Sequence, residues 1–197
     1  MGLHLDRPPK YVRAAAVRAA RRALLTRRGS RLRAPVRLTA GIAVHTAGID
    51  LIGAEWLSCT RRVAWRFYVV DAGARSISIE IGVHDGHAHI SHLAYGPTIH
   101  RLLLALGRLD AQAPVGARLR FVRVPELFLF GAWLHTTRSD EFHEWHHGEF
   151  LERELHPLTH RLVRMGKQRT RARATPQRRK TMATLSPAAR KARPNAR

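Results

Sequence analysis

Residues 76–96 read SISIEIGVHDGHAHISHLAYG, two runs in which apolar and polar residues alternate, joined at Asp85-Gly86. Asp-Gly suits the two positive φ angles of a type I′ turn, whose twist matches that of the strands on either side. A two-residue turn also sets the register. It places His84 opposite His87, Gly82 opposite His89 and Ile81 opposite Ile90. Ile77, Ile79, Ile81, Val83, Ala88 and Ile90 then share an apolar face, while His84, His87 and His89, with Glu80 further down, share the open one. The chain therefore contains an antiparallel pair with one side that needs a cover.

The remaining elements build around that pair. Val36, Leu38, Ala40, Ile42 and Val44 alternate as one side of a strand, and VAWRFYVV (63–70) is rich in β-branched and aromatic residues. The intervening 49–62 fits either a strand or a short helix. PTIHRLLLALGRLDAQ (97–112) begins at Pro97 and places Ile99, Leu102, Leu103, Leu106 and Leu109 on one stripe, which predicts a core-facing helix. ARLRFVRV and LFLFGAWLH give two more strands around Pro125-Glu126, the first with a slip in its alternation that suggests a bulge or one wet face. The order β-β-β-β-α-β-β with short connections implies an α+β fold: a mostly antiparallel sheet with one core-facing helix.

Charge divides the chain into three. Residues 1–37 hold eleven Lys or Arg against Asp6 alone, and residues 161–197 hold thirteen and no acid. The stretch between them is near neutral and carries twelve of the thirteen histidines. The organisation expected is a basic, mostly helical N-terminal arm (1–35), a globular core (36–160) able to fold by itself, and a basic, largely disordered C-terminal tail (161–197). In the first arm a helix near 9–28 follows the Pro8-Pro9 pair, with Val12, Ala16, Ala20 and Leu24 aligned and Arg18, Arg21 and Arg22 roughly opposite. That shallow alanine face could dock weakly on the core or a partner. The tail after Ala174 has no aromatic residue and no hydrophobic period, so it cannot offset the entropy of ordering.

Several function classes drop out. The single cysteine, Cys59, excludes an intrachain disulfide and reads as a small hydrophobe in a reducing, cytoplasmic compartment. No apolar run is long enough to span a membrane. The preference for arginine over lysine fits a GC-rich bacterial genome; in a eukaryotic host the Arg- and Ala-rich start would resemble a transit peptide. Neither a phosphate-binding glycine loop nor a nucleophile elbow occurs.

Three candidate sites are left. The tail's unopposed charges suit a polyanion, and Arg169, Arg171, Arg173, Arg178, Arg179, Lys180, Arg190 and Lys191 are the residues that would contact the phosphates of nucleic acid, non-specifically and without base stacking. An anionic protein or lipid is the alternative partner. The second site is the hairpin. Opposed Cβ atoms stand about 5 Å apart, so His84 and His87 with His89 adjacent could chelate zinc, and a metal-dependent hydrolase is the competing class of function. The third is HEWHH at 143–147, literally the H-E-x-x-H string. On a helix starting near Ser139 or Asp140, His143 and His147 would lie about 40° apart, but turned away from the Phe142 and Trp145 side. Such a pair faces water, flanked by Glu141 and Glu149, and reads as a solvated polar helix face. The sequence thus favours an accessory or interaction protein without a cofactor over an enzyme.

Overall fold

The computed structural model describes residues 3–28, 36–49, 52, 56–69, 76–155 and 157–168. Three helices cover an eight-stranded mixed sheet, an α+β architecture. Helix α1 (Lys10–Arg28) precedes β1 (Ile42–Thr46), β2 (Arg61–Val69), β3 (Ile77–His84), β4 (His87–Tyr95) and α2 (Pro97–Gln112). Then follow β5 (Arg118–Val124), β6 (Leu129–His135), β7 (Asp140–His146), β8 (Glu149–Arg153) and helix α3, described over 157–168 and at 155. The strand order is β4-β3-β2-β1-β5-β6-β7-β8. Every pairing is antiparallel except β1 with β5, so two four-stranded meanders, each ending in a helix, stand back to back across one parallel seam.

Alternation along the strands decides what each face buries. On one face Ala43, Trp65, Phe67, Val69, Ile77, Ile79 and Ile81 meet Val12, Ala16, Ala20 and Leu24 of α1. Farther along that face, Val122, Val124, Trp133 and Phe142 pack with Trp56, Leu57 and the α3 residues Leu158 and Leu162. The opposite face brings Ile42, Val44, Tyr68, Leu119, Phe121 and Leu134 against Ile99, Leu102 and Leu109 of α2. Leu103 and Leu106, at the flank of the expected stripe, are half-buried beside them. Among the described residues no helix is long and apolar enough to cross a membrane.

The structure departs from the sequence reading in several places, each with a local cause. Val36 and Leu38 do not share a face with Ile42 and Val44. They pack in the α1 layer, whereas the latter two pack under α2. The crossover occurs at Gly41, where a Cβ would come within 2.8 Å of the Phe67 ring and 3.0 Å of Pro8, so only a bare backbone passes. The hairpin register holds through Ile81–Ile90, and Asp85 and Gly86 take φ of 48° and 75° as the type I′ turn requires. A bulge opposite Glu80 then pairs it with His92, returning Leu93 and Tyr95 to the apolar side. Cys59 is exposed in a turn.

Neither arm is peripheral where it is described. α1 buries seven side chains, Val12, Ala15, Ala16, Ala19, Ala20, Ala23 and Leu24. Ahead of it, the Leu3 amide donates to Asp110 Oδ1 at 3.0 Å and His4 bridges to Arg118. Alanines anchor well here because small side chains let the helix backbone approach the sheet closely. The first residues of the supposed tail, 161–168, belong to α3, whose Leu162 is almost fully buried. Residues 169–197, on which the expectation of disorder falls, lie outside the described residues.

Glu80 on β3 and Arg123 on β5 are separated by β2 and β1, three strand spacings or about 14 Å on a flat sheet. Their side chains nevertheless meet at 2.9 Å, Arg123 Nη1 donating to Glu80 Oε1. Arg66 Nη2 donates to the other oxygen at 2.7 Å and the Ser91 hydroxyl to Oε1 at 3.2 Å. Burial alone would push the Glu80 carboxyl up, but the Arg66 charge and hydrogen bond, Arg123 and Ser91 outweigh it and hold the group below the usual carboxylate range. Arg66 also lies over the rings of Phe121 and Phe130, 5.4 and 4.9 Å from their centroids. α2 touches both β4 and β8, the two edges of the sheet.

Two outcomes test this packing. Ala16→Leu, at a fully buried contact of α1, should destabilise the protein by about 1–3 kcal/mol in urea unfolding, whereas Ala14→Leu on the exposed side should change stability by less than about 0.5 kcal/mol. Equal effects would detach α1 from the core. Glu80→Gln should cost about 3 kcal/mol at pH 7 by leaving buried guanidinium unpaired. Because the folded carboxyl titrates below its unfolded value, its contribution is present above about pH 4.5 and lost as pH falls through the depressed value. Wild type and variant should therefore converge on acidification, and melting curves that stay parallel from neutral to acid pH would contradict the assignment.

Candidate polyanion interface and histidine clusters

Helix α1 carries Lys10, Arg13, Arg18, Arg21, Arg22, Arg27 and Arg28 and no acidic residue. Docking of its alanine side fixes where the first five point. Lys10, Arg13, Arg18, Arg21 and Arg22 are all exposed, and the first turn holds no acid. Arg13 reaches the Thr39 carbonyl at 3.5 Å, the edge of hydrogen-bonding range. Lys10, Arg18 and Arg21 fall within about 80° on the outward side, a cationic stripe about 16 Å long held on a rigid element. The signal for it was in the sequence, in the spacing of Arg18, Arg21 and Arg22 against the alanines. The eight tail residues expected to meet phosphates, Arg169, Arg171, Arg173, Arg178, Arg179, Lys180, Arg190 and Lys191, lie outside the described residues.

The hairpin histidines occupy the register positions expected but do not converge. His84 and His87 are paired across the turn, yet His84 Nε2 turns to the adjacent Asp85, at 3.3 Å. The His89 ring instead lies over Gly82, where an added Cβ would be 2.7 Å from its Nε2. Glu80, expected on the open face with them, is fully buried under its two arginines. Among the described residues no group of three or more His, Cys, Asp or Glu is arranged to hold a metal ion.

HEWHH is not helical. Asp140–His146 forms β7 and Glu149–Arg153 forms β8, joined at His147-Gly148 with φ of 49° and 102°. Two adjacent residues with positive φ cannot continue a helix, whereas they complete a two-residue hairpin turn. The strand also separates what a helix would have gathered. Phe142 faces Trp56 and the α3 layer, while Trp145 faces Phe150 and the α2 layer, with ring centroids 5.1 Å apart in the latter pair. His143 is buried on the α2 side, His147 is exposed in the turn, and four residues of strand put them roughly 13 Å apart. No zinc pair forms.

Sequence reasoning missed a second cluster on the α1 side of the seam. His45 Nδ1 lies 3.2 Å from Thr60 Oγ1, and its ring meets the Trp133 edge at 5.8 Å. Arg120 covers Trp133 at 4.8 Å and approaches Asp6 at 3.5 Å. Burial first, then the charges of Arg120 and Arg62, lower the His45 pKa to about 4, so the ring is neutral at physiological pH. Asp140 Oδ1 accepts from Trp133 Nε1 at 2.8 Å and lies 2.7 Å from His135 Nδ1. The one available clue was Arg120 inside an otherwise alternating strand; that His45 lies beside it depends on the parallel seam, which local periodicity does not encode.

No protein-family model, curated protein or solved structure matches the chain, so its chemistry is read from these residues alone.

Proposed function

We propose that the protein is an accessory or interaction protein that binds nucleic acid, or another polyanion, non-specifically through two basic surfaces: the outer side of α1 and the C-terminal residues beyond 168. The observation that carries this reading is the anchoring of α1. A helix seated by small apolar side chains, with no acid along its length, holds its exposed cations at fixed spacing against the molecule. Such charges repel one another and stabilise nothing internally; they are matched by phosphate. The ten Lys or Arg of 169–197 lack aromatic neighbours, so they add charge neutralisation without base stacking.

Affinity for duplex DNA should then be steep in salt and blind to sequence. If about six charges meet phosphate, log K should fall against log salt with a slope of about −5. Deleting 169–197 should flatten the slope while leaving the melting temperature nearly unchanged, since α3 and its buried Leu162 remain. Arg18→Glu, Arg21→Glu and Arg22→Glu together should remove a further two to three units or so of slope, about 0.9 for each lost contact. Binding that survives 0.5 M salt, or a strong preference for one sequence, would defeat the proposal.

A further inference from the structure

Between α2 and the β7–β8 hairpin lie two adjoining cavities of about 180 and 330 Å³. The inner one is bounded by Gln112, the buried His143 and the Phe150 ring, the outer one by Arg101, Leu104, His146, His147 and Leu151. Arg108 and Glu149 border both, which makes one groove of them.

The groove has a local origin. Arg101 and Arg108 are seven residues apart, two helical turns, and so project to the same side of α2 about 10 Å from each other. Gly148 completes the hairpin turn and leaves room for the Arg101 side chain, whose Cδ would lie 3.3 Å from a Cβ placed there. His146 and His147 stand at the same turn with ring centroids 4.0 Å apart. The one acid, Glu149, is 3.5 Å from Arg108. Both side chains of that pair are more than half exposed, so it contributes little and yields readily to a stronger anion. Two guanidiniums and two imidazoles thus line a recess whose wall, at Leu104, Leu151 and Phe150, is apolar.

We propose that this groove binds a small phosphate monoester with an apolar or aromatic body. The phosphate sits between Arg101 and Arg108, which suit a tetrahedral dianion with several acceptor oxygens, and takes further hydrogen bonds from the imidazoles of His146 and His147. The body lies along Leu104 and Leu151. A dianion fits better than a carboxylate because it can engage both arginines after displacing Glu149. The site shares no residue with the α1 face or with 169–197, and stands or falls independently of the polyanion reading.

The test is a titration of the full chain with phenyl phosphate, followed through the imidazole NMR signals of His146 and His147, assigned with His146→Asn and His147→Asn. The expected result is a saturable shift of these signals, produced more weakly by inorganic phosphate and not by benzyl alcohol. Arg101→Gln with Arg108→Gln should weaken binding about tenfold or more, the loss of charge-assisted hydrogen bonds. Leu104→Glu, at a side chain that is 52% exposed and so tolerant of change, should weaken it as well. Arg18→Gln, Arg21→Gln and Arg22→Gln on α1 should leave it unchanged. A shift that never saturates, that persists in the double arginine variant, or that is lost equally in the α1 variant would overturn the site.

Discussion

A carboxylate buried without exposure in a sheet face is tolerable only if its charge is answered, and at Glu80 it is answered from two directions. Arg66 comes from the neighbouring strand, and Arg123 from three strands away across the seam. The second contact is what couples the halves of the sheet. It ties β3 to β5 over the two strands between them, on the face that α2 covers, and α2 itself touches both edge strands. The cluster carries one more positive charge than negative, and the partial exposure of Arg123 lets water take the surplus. Apolar residues of the same volume could supply comparable stability, but not the requirement that β3 and β5 approach from specific positions.

The opposite face solves its covering problem with two helices. α1 lies over the first meander through alanines, α3 over the second through Leu158 and Leu162, and between them the layer is interrupted at His45, Arg120 and Trp133. There the cover is polar, and the neutral His45 ring relies on its surroundings for its charge state. On the α1 side the close approach of backbone to sheet has an electrostatic corollary: the arginines that flank the alanines are forced outward together, so packing and surface charge are two results of one residue pattern.

Much of this was legible in the chain because the deciding residues are neighbours in sequence. Asp85-Gly86 determined a turn, the turn a register, and the register the face that Ile77, Ile79 and Ile81 bury, although Ile90 near the hairpin end stays exposed; the α2 stripe followed from helical spacing in the same way. What escaped reading depended on partners far along the chain. His147-Gly148 is also a turn signal, but the aromatic pair Phe142 and Trp145 fits a helix face equally well until the α3 layer and α2 claim opposite sides of the strand. Glu80 looked solvent-facing because Arg66 and Arg123 were assigned to strands whose order was unknown. Even the groove beside α2 joins residues 101–112 to 143–151, elements that the tertiary fold, not local spacing, brings together.

The parallel seam has a kinetic meaning. Within each meander, successive strands are joined by connections of two to fourteen residues and can pair soon after the chain collapses, but β1 and β5 bring Ala43 against Arg120 only after the first meander and α2 have been looped out. The two halves are therefore free to acquire secondary structure separately, and the closing of the seam, together with burial of Glu80 between guanidiniums from both sides of it, is the natural late and rate-limiting event. A chain that stalled before that step would hold two formed half-sheets with unpaired inner edges, the geometry from which exchange of halves between molecules begins.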